Sequence, residues 1–169
     1  MAGFRISEEE RERLKEIELA KRGRIVITET TLEDFIQTAK SIFGEDTVYI
    51  FLYHAGKGRG RRIVQHLLEE NPALLDPWEL LQKAVEILQI DGMIERYLIK
   101  EEKGNYCIQL YNTIETRVRS LEYKNNCSIT KSFMDGIAEG VFGKKAKVKE
   151  IEHCREEGED FYCTFKIQP

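Results

Sequence analysis

The strongest constraint on how this chain folds lies near its end, in the stretch EIEHCREEGEDFYC at residues 150–163. Gly158 can take φ > 0 at the first central position of a II′ turn, which makes Gly158 and Glu159 a two-residue loop closing a hairpin over residues 146–167. Pairing follows by counting outward. Glu157 opposes Asp160, Glu156 opposes Phe161 and Arg155 opposes Tyr162, so Cys154 lands across from Cys163 on the same face. Two thiols converge on a strand pair that is otherwise rich in acidic side chains.

A third thiol joins them from a distance. SITKSFMDGIAEGVFG, residues 128–143, reads as the last helix, and Cys127 stands at its start, where unpaired N–H groups and the helix dipole favour a thiolate. Two cysteines across a hairpin and one at a helix N-terminus supply three ligands of a tetrahedral zinc site. Candidates for the fourth are Glu150, Glu152, His153 and Cys107. Chemistry favours His153 or Cys107, because structural zinc takes nitrogen or sulfur most often. In an unbroken strand His153 points away from Cys154, so it joins the set only where a bulge reverses the alternation. Two plainer readings stand beside the metal: cysteines packed as small apolar side chains, and a cross-strand disulfide between Cys154 and Cys163.

The compartment bears on that choice. The first 24 residues are charged from the seventh onward and lack the apolar stretch of a secretory signal, so the expected location is cytoplasmic, where thiols stay reduced. No apolar run approaches the roughly 20 residues that cross a bilayer. A net charge of −4 gives no basic excess of the kind that direct nucleic-acid binding requires.

Upstream, Ser7 and Glu10 form a capping box for a charged helix ending at Gly23, with only Leu14 and Ile17 as an apolar stripe. Residues 1–23 therefore read as a peripheral or dimer-forming helix, and residues 24–169 as one domain. In that domain RIVIT (24–28) reads as a short strand. Thr31 caps a helix with Leu32, Phe35, Ile36, Ala39 and Phe43 at helical spacing, ended by Gly44. TVYIFLY (47–53) reads as a buried strand, and GKGRGRR (56–62) as a glycine-rich basic turn before a helix that turns Ile63, Val64, Leu67 and Leu68 inward.

Asp76, Pro77 and Glu79 open a further helix with the stripe Leu81, Ala84, Val85 and Leu88, closed by Gly92. MIERYLIKEE and NYCIQLY, joined at Lys103 and Gly104, form a hairpin. Gly136 and Gly140 share one face of the last helix and allow another backbone to come close. Helices and strands alternate early while hairpins dominate late, so the expected class is α+β with a mainly antiparallel sheet carrying packed helices. GKGRGRR lacks the spacing of a phosphate-binding loop, and His54 and His66 have no nucleophile or carboxylate arrangement around them that demands catalysis.

The run from Cys127 through SFMDGIAEGVFG to VKEIEHCREEGEDFYCTFKI resembles the C-terminal signature of the 4-vinyl reductase domain family. That pattern is a cysteine, a helix with spaced glycines, an acidic strand bearing a second cysteine, a glycine turn, and a third cysteine before F-x-I. Weaker agreement extends back to about residue 24. The family includes sensor modules of aromatic-responsive transcription activators and is similar in fold to Golgi vesicle-tethering subunits and haem-based nitric oxide sensors. The resemblance implies a ligand-binding α+β domain that commonly dimerises.

It also implies zinc held by Cys127, Cys154, Cys163 and Glu150. This chain departs by an extra residue between Glu150 and Cys154 and another in the turn, which keeps Glu152 and His153 open as replacements. The implied function is a non-catalytic domain that binds or senses a small apolar or aromatic ligand, as a homodimer and with a separate signalling partner. A reductase acting on a vinyl group and a protein-assembly module are the alternatives, the former without any nucleotide or flavin motif to supply a hydride.

Overall fold

The computed structural model describes residues 27–70, 76–118, 121, 127–158 and 160–169. The expected helix over residues 7–23 and most of the strand over residues 24–28 lie outside them. Among the described residues there are five helices and four strands, in the order α1 (Glu29–Phe43), α2 (Glu45–Glu70), α3 (Pro77–Ile90), β1 (Arg96–Glu102), β2 (Asn105–Tyr111), α4 (Ile114–Arg117), α5 (Ser128–Phe142), β3 (Lys147–Glu157) and β4 (Asp160–Gln168).

The sheet runs β1-β2-β4-β3 and every neighbouring pair is antiparallel, which gives the α+β class read from the sequence. In the first hairpin Lys103 and Gly104 both take positive φ, the backbone that a two-residue turn of this hand requires. Asp76 caps α3 by accepting from the Trp78 N–H at 3.4 Å, with Pro77 in the first turn as expected.

The N-terminal half differs from the sequence reading. Ile27 and Thr28 belong to no strand; Thr28, not Thr31, caps α1, its Oγ1 accepting from the Thr31 N–H at 3.2 Å. Gly44 does end α1, at φ 81, with its N–H on Lys40 O. The expected strand over residues 47–53 and the expected turn over residues 56–62 are one continuous 26-residue helix, α2. The physical reason is a stripe at helical spacing: Val48, Leu52, Gly56, Gly60, Ile63 and Leu67 all fall on the face turned towards the rest of the molecule. Ile50 and Phe51 fill the gaps in that stripe from the exposed side, so the run looks uniformly apolar in sequence.

The glycines are the packing surface of this helix. A Cβ on Gly60 would lie 3.0 Å from Gly136 Cα and 2.9 Å from Ile137 N, and one on Gly140 would meet Val64 side-chain carbons at 2.8 to 3.0 Å. The glycines of α2 and α5 thus let two backbones touch, as expected for Gly136 and Gly140. The N–H groups of residues 56–62 lie inside a helix rather than at its open N-terminus, so their backbone forms no anion-binding loop.

Helices α2, α3 and α5 cover one sheet face and enclose the main core, including Ile63, Leu81, Leu88, Met134 and Ile137 against Ile108, Leu110, Phe165 and Ile167. A smaller apolar cluster joins Ile36 of α1 to Ile114, Val118, Leu121 and Ile129. Within α1 only Ile36 of the expected stripe is buried, and Phe35 and Phe43 face outward. No helix among the described residues is long and apolar enough to cross a membrane.

Candidate metal centre

The terminal hairpin pairs as counted from its turn for three rungs: Glu157 with Asp160, Glu156 with Phe161, Arg155 with Tyr162. Gly158 has the required positive φ of 68°. Beyond Arg155 the register slips twice. Glu152 pairs with Thr164 and Glu150 with Phe165, so β3 carries one extra residue on each side of Glu152.

These two bulges decide where the acidic strand sends its side chains. Glu150, opposite Phe165, faces the helices. Glu152 turns to the other face, where its carboxylate accepts from the Thr164 hydroxyl at 2.6 Å. The second bulge contains His153 and Cys154, the latter at φ 41°, and it brings both side chains to the same centre. The local reversal that His153 needs is therefore present.

Cys127 is the N-cap of α5 and is fully buried beside Cys163, which β4 holds in the middle of the sheet opposite Leu110. One atom each from Cys127, His153, Cys154 and Cys163 lies within 4.8 Å of every other. Cys127 Sγ is 3.8 Å from Cys154 Sγ and 3.6 Å from His153 Nδ1, and Cys154 Sγ is 3.9 Å from Cys163 Sγ. Metal–sulfur bonds of about 2.3 Å and metal–nitrogen bonds of about 2.0 Å, set tetrahedrally, put two sulfurs roughly 3.8 Å apart and a sulfur and a nitrogen roughly 3.6 Å apart.

The Cys127 and Cys163 sulfurs are in direct contact. Their Cα atoms stand 7.3 Å apart, wider than the roughly 4.4–6.8 Å a disulfide ordinarily spans.

Glu150 completes the surroundings. Its Oε1 accepts from the Cys127 N–H at 3.4 Å and lies 3.0 Å from His153 Nδ1, while Oε2 is buried without a hydrogen-bond partner. A buried carboxylate oxygen left bare costs several kcal/mol unless a cation or donor meets it. The orphaned oxygen, three thiols and an imidazole make a donor set that suits a soft or borderline divalent cation. Cys107, weighed as a fourth thiol, pairs with Lys100 and Lys166 on its neighbouring strands and lies outside the cluster, with burial pushing its thiol pKa up.

Two supporting residues carried no signal in the sequence. Thr113 is fully buried with its hydroxyl 3.9 Å from Cys127 Sγ. The buried Glu115 accepts from both the N–H and the hydroxyl of Thr130, in the first turn of α5, and so fastens the helix end that carries Cys127. Both contacts join α4 to α5 across at least 14 residues, and no local pattern encodes them.

Two clefts border the α2–α5 pair. One, of about 420 Å³, is lined by Tyr53, Lys57, Lys131, Asp135 and Glu139 together with lysines leading into β3. The other, of about 320 Å³, lies beside Val64, Leu68 and Gly140. Neither is lined by a residue of the thiol cluster.

Helices on one face of a four-stranded antiparallel sheet, with thiols gathered where the last helix meets the last hairpin, define an α+β domain. Among solved structures, the chain is similar to the phenol-responsive sensory domain of the transcription activator PoxR with phenol. The TM-score is 0.68 at 14% identity, and the match covers 97% of this chain and 92% of that one. At that identity the likeness is one of fold. No family model matches the chain, and no curated protein matches it.

Proposed function

We propose that this chain is a non-catalytic, zinc-stabilised domain that binds or senses a small apolar or aromatic molecule, a member of the 4-vinyl reductase domain family acting in the cytoplasm. The observation that carries the reading is the convergence of Cys127, Cys154 and Cys163 with His153 and the orphaned Glu150 carboxylate. The fold shared with a phenol-responsive sensory domain supports the ligand class.

Zinc would be held by the three thiolates and a fourth donor from Glu150 or His153. It would pin α5 to the β3–β4 hairpin and add to folding stability, because an unfolded chain has no preformed site. Residues 24–169 would form the ligand-binding unit, with residues 1–23 as an additional helix that docks on a partner chain. Exposed apolar side chains on α1 and the first half of α2, among them Phe35, Phe43, Ile50 and Phe51, favour a homodimer. A separate signalling partner would relay the bound state.

The test is metal analysis of the purified protein beside its Cys154→Ser and Cys163→Ser variants. The expected result is about one zinc per chain in the parent and, in both variants, loss of zinc with a lower melting temperature. Unchanged stoichiometry and unchanged melting in both variants would remove the reading. Native mass spectrometry of freshly isolated protein reports subunit number and any retained small molecule in the same measurement.

A further inference from the structure

The cleft of about 420 Å³ beside α2 and α5 differs in charge from the molecule that carries it. The whole chain has a net charge of −4, yet the cleft is lined by five lysines against two carboxylates. Lys57 comes from α2, Lys131 from near the start of α5, Lys144 from the turn after α5, and Lys147 and Lys149 from β3. Four segments thus gather at one opening a positive charge that the overall balance conceals.

The two carboxylates do not cancel it. Both sit on α5, and each is shared between two donors. Asp135 accepts from the Tyr53 hydroxyl and from Lys131 Nζ, at 2.8 Å each. Glu139 meets Lys57 Nζ at 3.1 Å and an Arg61 guanidinium nitrogen at 2.8 Å, and these cations, Lys57 foremost, hold its carboxyl below the usual range. An ammonium group has three N–H donors, so Lys57 and Lys131 are each fixed by one contact with donors to spare. On the β3 side, Lys144, Lys147 and Lys149 are exposed and make no ion pair among the described residues.

Lysines on an edge strand also discourage pairing with another strand, and β3 stands at the edge of the sheet among the described residues. That role covers Lys147 and Lys149 but not Lys57 and Lys131, which belong to helices.

We infer that this cleft binds a small anion of two or more charges, of the bisphosphate kind. Its volume is that of a small-molecule site. Among the described residues no arginine lines it, so it offers point charges that suit phosphate groups rather than the planar fork that grips a carboxylate. The site is separate from the thiol cluster and does not depend on zinc being bound there.

The experiment titrates the full chain with fructose 1,6-bisphosphate, followed by calorimetry and by backbone amide NMR shifts. It compares the parent, the Lys147→Ala/Lys149→Ala variant and a charge-matched control, Lys83→Ala/Lys100→Ala. Lys83 on α3 and Lys100 on β1 are exposed and lie outside the cleft. Circular dichroism confirms that each protein is folded. The expected result is saturable binding in the parent that weakens about tenfold or more in the cleft variant and less than about twofold in the control. Amide shifts should gather at residues 131–135 and 144–149, and affinity should fall as salt is raised.

Equal weakening in the two variants, or shifts spread over the whole surface, would reduce the effect to net charge and overturn the site. Absence of saturable binding by the folded parent at millimolar bisphosphate would overturn it as well.

Discussion

At the scale of single residues, burial and pairing separate side chains that the sequence presents as equals. Glu150, Glu152 and Glu115 are three glutamates with three environments: one beside the thiols with a bare oxygen, one tied to Thr164 across the sheet, one fastening the start of α5. Burial holds the Glu115 carboxyl above its usual range, against the opposing pull of the Thr130 hydrogen bonds. A carboxyl whose folded-state pKa is raised contributes stability that is fully present below its unfolded pKa and lost as pH rises through its folded pKa. Glu115→Gln should therefore abolish that segment of the stability–pH curve, read by denaturant melts from acid to neutral pH. Glu115→Ala should cost about 1–3 kcal/mol at acid pH, because the Thr130 N–H is left buried without an acceptor, and less as pH rises through the folded-state pKa of Glu115. Cys154 was counted opposite Cys163 from the glycine turn, but the count holds only to Arg155, and it is the bulge, with Cys154 at φ 41°, that brings the two sulfurs to 3.9 Å. The bulge that turns His153 inward was not legible, since strand alternation carries no sign of an added residue.

Among elements, α2 shows how far a local pattern can mislead. Its apolar run over residues 47–53 is too short to declare a period, and glycines at 56, 58 and 60 read as breakers when taken alone. The helix survives three glycines because two of them, Gly56 and Gly60, allow contact with α5 that no side chain would permit. Substitutions divide these roles. Gly136→Ala places a Cβ against the carbonyl of Lys57 and 3.0 Å from Arg61 N, both backbone atoms that cannot yield, so it should destabilise by about 1–3 kcal/mol or more. Gly58→Ala meets nothing within 4 Å and should stabilise by up to about 1 kcal/mol through helix propensity. Thermal melts of the two variants check both signs. The later elements were legible with nearly their observed bounds, because capping residues and two-residue turns act over three or four positions and leave local marks. That applies to α3, both hairpins and α5.

For the whole molecule, α1 and the start of α2 present an exposed apolar face. Phe35, Ile42, Phe43, Ile50 and Phe51 are each more than half exposed, an arrangement that fits burial against a second copy. Phe51→Glu should shift the protein from dimer to monomer in sedimentation velocity, with the zinc content and the helical signal unchanged; a parent that sediments as a monomer across the micromolar range would count against the dimer. The sequence by itself determined the α+β class and the late hairpins, since each follows from short-range stereochemistry: a turn glycine, a cap, a strand period. Tertiary structure alone decided that residues 47–62 are helical, that β3 bulges on both sides of Glu152, and that Glu115 and Thr113 brace Cys127. Those outcomes depend on contacts between segments far apart in the chain, where the free energy of burying one surface against another outweighs local preference.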